Sequence, residues 1–212
     1  MPDICNMKRT FFYALAAIVM FGFACKDKQA TSQTATAEPT LTADSKGSIT
    51  SVEEVKWMTI EEAIVAQEED PKPIMVDVFT KWCGPCKMLS KNTLEDARVS
   101  KYLSDNYYCV KFDAESPDTV FFANNLYTNP DYVPNQAGRN GVHQFARFLN
   151  VSAYPTLFFF DKKAQALGPL TGYRTPAQIE IFLHYFAEDK YLTVQTPEQW
   201  TEYEKAFVVT WN

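Results

Sequence analysis

Two cysteines three positions apart, Cys83 and Cys86, stand in the run Trp82-Cys83-Gly84-Pro85-Cys86-Lys87. A thiolate is the nucleophile of disulfide chemistry, and a second thiol one helical turn away can attack the first sulfur in return. The pair follows IMVDVFT, residues 74–80, an apolar run with β-branched residues that reads as a buried strand. It opens a stretch of helical character, so the strand delivers Cys83 to a helix start. Unpaired backbone N–H groups and the helix dipole favour an anion there, lowering a thiol pKa from about 8.5 towards about 7. Pro85 is tolerated near a helix start because its missing N–H had no partner. On this reading Cys83 is the exposed attacking sulfur and Cys86 the more buried resolving one. A structural staple or half of a zinc site are the alternatives. Zinc asks for four N or S ligands, and Cys109, His143 and His184 are scattered singles. Neither a metal nor another cofactor is expected.

The flanking elements follow from periodicity. Thr59 and Glu62 form a capping-box pattern ahead of a helix with Ile60, Ala63, Ile64 and Gln67 on one face. Pro71 and Pro73 end it. ARVSKYL continues helical after the cysteines, and YYCVKFDAE, residues 107–115, reads as a second buried strand. Residues 116–141 are crowded with Asn, Pro, Gly and Tyr and are too long for a plain connection. VHQFARFL then has helical spacing at Val142, Phe145, Ala146 and Leu149; TLFFFD is a strand, DKKA a turn, and the segment to Gly172 an edge strand. Thr175, Pro176 and Gln178 open a helix with Ile179, Phe182, Leu183 and Phe186 as its buried face. Thr196-Pro197-Glu198-Gln199 repeats that opening before Trp200, Tyr203 and Phe207. Helices alternating with strands in this order predict a layered α/β fold around one sheet.

Composition agrees with a packed body: 46% of the 212 residues are hydrophobic, with sixteen Phe and eleven Tyr. A net charge of −6 lacks the basic footprint of a nucleic-acid binder. At the N-terminus, Met7-Lys8-Arg9 precedes the apolar run of residues 11–24 and then Cys25, after which the chain turns polar. The run suits a signal-peptide core and is short of the roughly 20 residues of a spanning helix. The boundary resembles a bacterial lipoprotein signal, with Cys25 as the lipidated residue, although Gly22-Phe23-Ala24 lacks the usual Leu. An ordinary cleaved signal and an uncleaved anchor are the other readings. Cys5 lies ahead of the apolar run and would be lost on cleavage. The expected layout is a signal peptide (1–24), a flexible tether (25–50), a folded domain (51–190, with an insertion at 116–141) and a C-terminal helical extension (191–212).

Over residues about 57–188 the chain resembles the thioredoxin superfamily, the hexapeptide WCGPCK being the specific match. The resemblance implies a three-layer α/β fold with a central mixed sheet, here with an insertion before the third core helix and an extra C-terminal helix. It implies catalytic roles for Cys83 and Cys86. Asp77, six positions before Cys83, corresponds to a buried carboxylate that takes the proton of the resolving thiol, and Lys111 to the strand lysine beside it. A carboxyl in an apolar strand should have a raised pKa, although a mere ion pair with Lys111 is the plainer alternative. Tyr154-Pro155-Thr156 corresponds to the cis-proline loop that pairs with substrate backbone, which makes Trp82, Gly84, Pro85, Tyr154 and Pro155 the implied substrate contacts. Tyr154 stands where a small or aliphatic residue is common. The insertion has no counterpart in minimal thioredoxins and could be a docking surface or passive decoration. Cys109 reads as a buried, inert thiol.

The expected function is thiol–disulfide exchange on envelope proteins: a monomeric reductase or isomerase facing the periplasm or held on the outer membrane by its lipid. Its partners would be protein thiols and disulfides and a membrane thiol–disulfide interchange reductant. Two competing classes remain: a holder of apo-thiols or copper in cytochrome c or oxidase maturation, and a non-catalytic adaptor.

Overall fold

The structure, a computed structural model, describes residues 54–212. The expectations for the signal peptide, Cys25 and the tether lie outside the described residues.

Strand β2 (Ile74–Phe79) is the axis of the molecule. It pairs in parallel with β3 (Tyr108–Asp113) and antiparallel with β6 (Thr156–Phe160). A short β1 (Trp57–Met58) adds to the outer side of β3, and β7 (Ala166–Thr171) to that of β6, giving the order β1-β3-β2-β6-β7. A strand covered on both faces has no polar side to show, and so β2 reads as an unbroken apolar run apart from Asp77.

Side chains alternate across this sheet. Ile74, Val76 and Val78 join Val110, Phe112, Phe158 and Phe160 on one face. There they pack against α1 (Ile60–Glu69) and α4 (Gln144–Phe148), with Phe145 fully buried among Phe112, Phe122 and Tyr127. Met75, Cys109, Leu157 and Phe159 face the other way, under α2 (Gly84–Leu89), α3 (Ala97–Asn106) and α5 (Pro176–Ala187). The result is the expected three-layer mixed α/β fold, and α6 (Pro197–Ala206) is the expected extra C-terminal helix. Capping boxes form at Thr59, Thr175 and Thr196.

Four features depart from the sequence reading. Trp57 and Met58 form β1 instead of merely leading into α1, because β3 supplies an edge for them. After Leu89 the helix widens into a π-turn over Ser90–Leu94, and Asp96 caps α3 as a separate helix. Residues within 116–141 are partly regular: β4 (Val120–Phe122) and β5 (Asn125–Tyr127) form a hairpin whose turn residues Ala123 and Asn124 have positive φ. On α5, Ile179 and Leu183 are buried as expected, whereas Phe182 and Phe186 are only partly so. Glu180 is buried instead at 1% exposure, because its carboxylate accepts hydrogen bonds from Thr210 N, Thr210 Oγ and Trp211 N of the C-terminal tail.

Candidate active site

The chain leaves β2 through a tight turn, in which Cys83 N donates to Thr80 O at 3.1 Å. Cys83 is the N-cap of α2, with extended backbone, and its Sγ accepts the Cys86 N–H at 3.1 Å. A sulfur in the N-cap position thus satisfies an orphan donor of the first turn, the place where negative charge is stabilised. Pro85 sits in that first turn, where no backbone donor is lost. Cys83 and Cys86 are joined in a disulfide with Cα atoms 5.3 Å apart. Both are buried, Cys83 at 3% exposure and Cys86 at 5%. The expectation of an exposed Cys83 above a buried Cys86 is therefore corrected: with the sulfurs bonded to each other, each shields its partner, and the difference between them vanishes.

Strand parity decides what lies beneath. Asp77 is two positions from Met75 and Lys111 two from Cys109, so both project to the α2 side, and the β2–β3 register sets them opposite each other. Asp77 is 2% exposed; its Oδ1 has no hydrogen-bond partner. Burial pushes its pKa up to about 6, with the Lys111 charge pulling the other way. At 3.7 Å, Lys111 Nζ and Asp77 Oδ2 attract as charges without a hydrogen bond. The lysine donates its hydrogen bond to Ser90 Oγ at 2.7 Å and lies 4.8 Å from the Trp57 ring centre. Asp77, Cys86, Ser90 and Lys111 line one cavity of about 250 Å³. Ser90 belongs to the π-turn, and its role has no signal in the sequence, since a serine within a helix is ordinary.

On the other side of the disulfide, the Tyr154–Pro155 peptide bond is cis. Thr156 pairs with Val78, so Pro155 enters the sheet at the end of β2 from which the Cys83 turn departs. Tyr154 is half-buried and meets the Trp82 ring edge-on at 6.1 Å; burial raises its phenol pKa. Gly84 has open space around its α-carbon. Trp82 is held from two directions that sequence reasoning missed. Its Nε1 donates to Glu115 Oε2 at 2.9 Å, and the Arg139 guanidinium covers its ring at 4.4 Å. Arg139 is 57 positions away in sequence, so only folding brings it here.

Among the described residues no three His, Cys, Asp or Glu side chains are grouped to hold a metal ion. Cys109 is free and buried in the sheet core, its pKa raised by burial and by the Asp77 charge. Among these residues no helix is long and apolar enough to cross a membrane.

A vicinal cysteine pair capping a helix, over a buried carboxylate and beside a cis-proline on a five-stranded mixed sheet, defines the class of dithiol–disulfide α/β domains. Residues 60–187 match the family described as thioredoxin-like domain, and the chain belongs to that family. Curated relatives include the thiol:disulfide interchange protein DsbD of Yersinia pestis (strain Pestoides F), 28% identical over 119 residues, 55% of this chain and 16% of that protein. The Escherichia coli (strain K12) DsbD is 31% identical over 98 residues, 46% of this chain and 14% of that protein. The chain thus matches under one fifth of the length of either relative. Among solved structures, a thioredoxin-fold protein from Helicobacter pylori aligns with TM-score 0.49 at 15% identity, covering 69% of this chain and 94% of that one.

Proposed function

We propose that this protein is a thiol–disulfide oxidoreductase that reduces or isomerises disulfides of bacterial envelope proteins through Cys83 and Cys86. The observation that carries this reading is Cys83 Sγ, placed at a helix N-cap where it accepts a backbone N–H, with Cys86 bonded to it. In the reduced protein, the Cys83 thiolate attacks one sulfur of a substrate disulfide. That bond breaks, and the departing substrate thiolate takes a proton from water. The product is a mixed disulfide between Cys83 and the substrate. Cys86 then loses its proton to Asp77, whose pKa near 6 suits it to act as a base at neutral pH. The Cys86 thiolate attacks Cys83 Sγ, the second substrate thiolate leaves, and the Cys83–Cys86 disulfide forms. Two electrons have passed to the substrate. Lys111 tempers the Asp77 charge, while Trp82, Gly84, Pro85, Tyr154 and Pro155 form the surface against which the substrate backbone lies.

The DsbD relatives are named thiol:disulfide interchange proteins, which supports the exchange chemistry. The apolar run of residues 11–24 ahead of Cys25 supports an envelope setting, with a membrane thiol–disulfide interchange protein as the electron donor. In this reading residues 1–24 are a signal peptide and Cys25 carries lipid. The stretch to residue 50 tethers a domain spanning 51–190, with 191–212 as its extension. The test is trapping in the native host. A Cys86→Ser protein should accumulate mixed disulfides through Cys83, and mass spectrometry should identify their partners. No adduct above that of a Cys83→Ser, Cys86→Ser double variant would remove turnover.

A further inference from the structure

Through its second half the insertion reaches Trp82, the residue before Cys83. Residues 128–141 lack a sheet ladder; beside turn bonds such as Tyr132 N to Asn129 O, side chains take up much of their backbone. Asn129 Nδ2 donates to Ser116 O and Gly141 O, closing the base of the loop. Asn140 Oδ1 accepts from Val133 N and Gly141 N, and its Nδ2 returns a bond to Val133 O. A Cβ at Gly141 would fall 2.4 Å from the backbone of Asp131, so the loop crosses itself where only glycine fits. Asn140 N donates to Glu115 Oε2, the oxygen that also receives the Trp82 indole N–H. One buried carboxylate therefore ties the loop and the active-site tryptophan together, and Arg139 is set on the indole face as a consequence.

The charge pattern differs between these two groups. Glu115 is 9% exposed and spends its oxygen on two N–H donors. Arg139 is exposed, and among the described residues no carboxylate pairs with it. Lys87, next to Cys86, is likewise exposed without an ion-pair partner, whereas Lys81 is answered by Asp113 at 3.5 Å. A chain of net charge −6 thus presents, among the described residues, two exposed cations without an ion-pair partner near its active-site run: Lys87 next to Cys86, and Arg139 over Trp82. Such a local field steers oppositely charged partners even where the overall charge opposes them.

We propose that residues 128–141 form one wall of the substrate cleft, and that Arg139 selects polypeptides whose disulfide is flanked by carboxylates. This rests on the exchange reading above. The step itself is unchanged: Cys83 and Cys86 pass two electrons to the peptide disulfide and end as the intramolecular disulfide, the Cys86 proton going to Asp77 and the peptide thiolates taking protons from water. Arg139 alters which peptides dock.

The test uses the full chain, pre-reduced with dithiothreitol and freed of it. It is mixed with either of two synthetic disulfide-bonded peptides that differ only in Asp or Lys at the flanking positions. The readout is the ratio of the acidic to the basic peptide's reduction rate, which cancels any loss of folded protein. The wild type should favour the acidic peptide. Arg139→Gln should lower the ratio about 2- to 5-fold, the scale of an exposed ion pair. Arg139→Glu should lower it further, Arg139→Lys should retain most of it, and 1 M salt should bring it towards one. A ratio that stays the same across wild type, Arg139→Gln and Arg139→Glu, with both peptides reduced, overturns the selection and leaves the exchange reading intact. Failure of the wild type to reduce either peptide removes both.

Discussion

Asp77 is a carboxyl placed where ionisation is disfavoured, with no hydrogen-bond donor at Oδ1 and a lysine at 3.7 Å from Oδ2. Two consequences follow. If it serves as base for Cys86, resolution of the mixed disulfide should slow as pH falls through about 6, and Asp77→Asn should abolish that limb. Rapid-mixing reduction of a model disulfide between pH 5 and 8 reads this directly. The second consequence concerns stability. A folded-state pKa raised from 3.8 to about 6 means that the native protein binds more protons than the unfolded chain between those values. Stability then falls as pH rises through that window and is lowered by a constant amount above it. At about 1.4 kcal/mol per tenfold, the deficit at pH 7 is about 3 kcal/mol. Asp77→Asn should recover part of it, raising the denaturation midpoint at pH 7 and barely at pH 4. A variant that is slower yet more stable marks a residue kept for chemistry. Lys111 restrains the same pKa, so Lys111→Met should move the kinetic limb to higher pH.

At the scale of elements, α5 shows how burial and polarity can exchange places. Its sequence pattern assigns Phe182 and Phe186 to the inner face, yet Glu180 is the more deeply buried. The tail after α6 returns to the domain and offers two backbone N–H groups that require an acceptor, and Glu180 supplies it. Arg98 of α3 adds a bond from Nη1 to Asn212 O at 2.8 Å, and Trp211 packs against Tyr102. Replacing a buried acceptor strands its donors, at roughly 1–3 kcal/mol each. Glu180→Ala should therefore cost about 2–4 kcal/mol and release Trp211. The checks are denaturant unfolding and a red shift of tryptophan emission under native conditions. The capping boxes of α1, α5 and α6 were legible because each is closed within four consecutive residues. The π-turn at Ser90–Leu94 was not legible, since its register depends on how α2 seats over the sheet.

For the whole molecule, the two cores on either side of β2 must both be filled for the site to keep its shape. Phe145 is completely buried and links α4, β3 and the β4–β5 hairpin through its contacts with Phe112, Phe122 and Tyr127. Truncation to alanine should cost about 3–5 kcal/mol, measured by denaturant unfolding. That loss should exceed the loss at Phe148 on the same helix, which is 47% exposed. Because the hairpin leans on Phe145 while the following loop carries Arg139, the same substitution should also weaken discrimination between acidic and basic peptides.

Read alone, the amino-acid order determined the dithiol, the strand that presents it, the alternation of layers and the extra terminal helix. Each of these rests on contacts within a few residues or on a hydrophobic period. Only the tertiary structure decided that β1 joins the sheet, that Ser90 receives Lys111, and that Glu115 and Arg139 enclose Trp82. It also decided that both cysteines are buried alike. The equal burial follows from the bond between the two sulfurs, whereas the other outcomes depend on pairs separated by 21 to 57 positions or on the edge another strand leaves open. Periodicity carries no record of such partners, because the same local pattern is compatible with many of them.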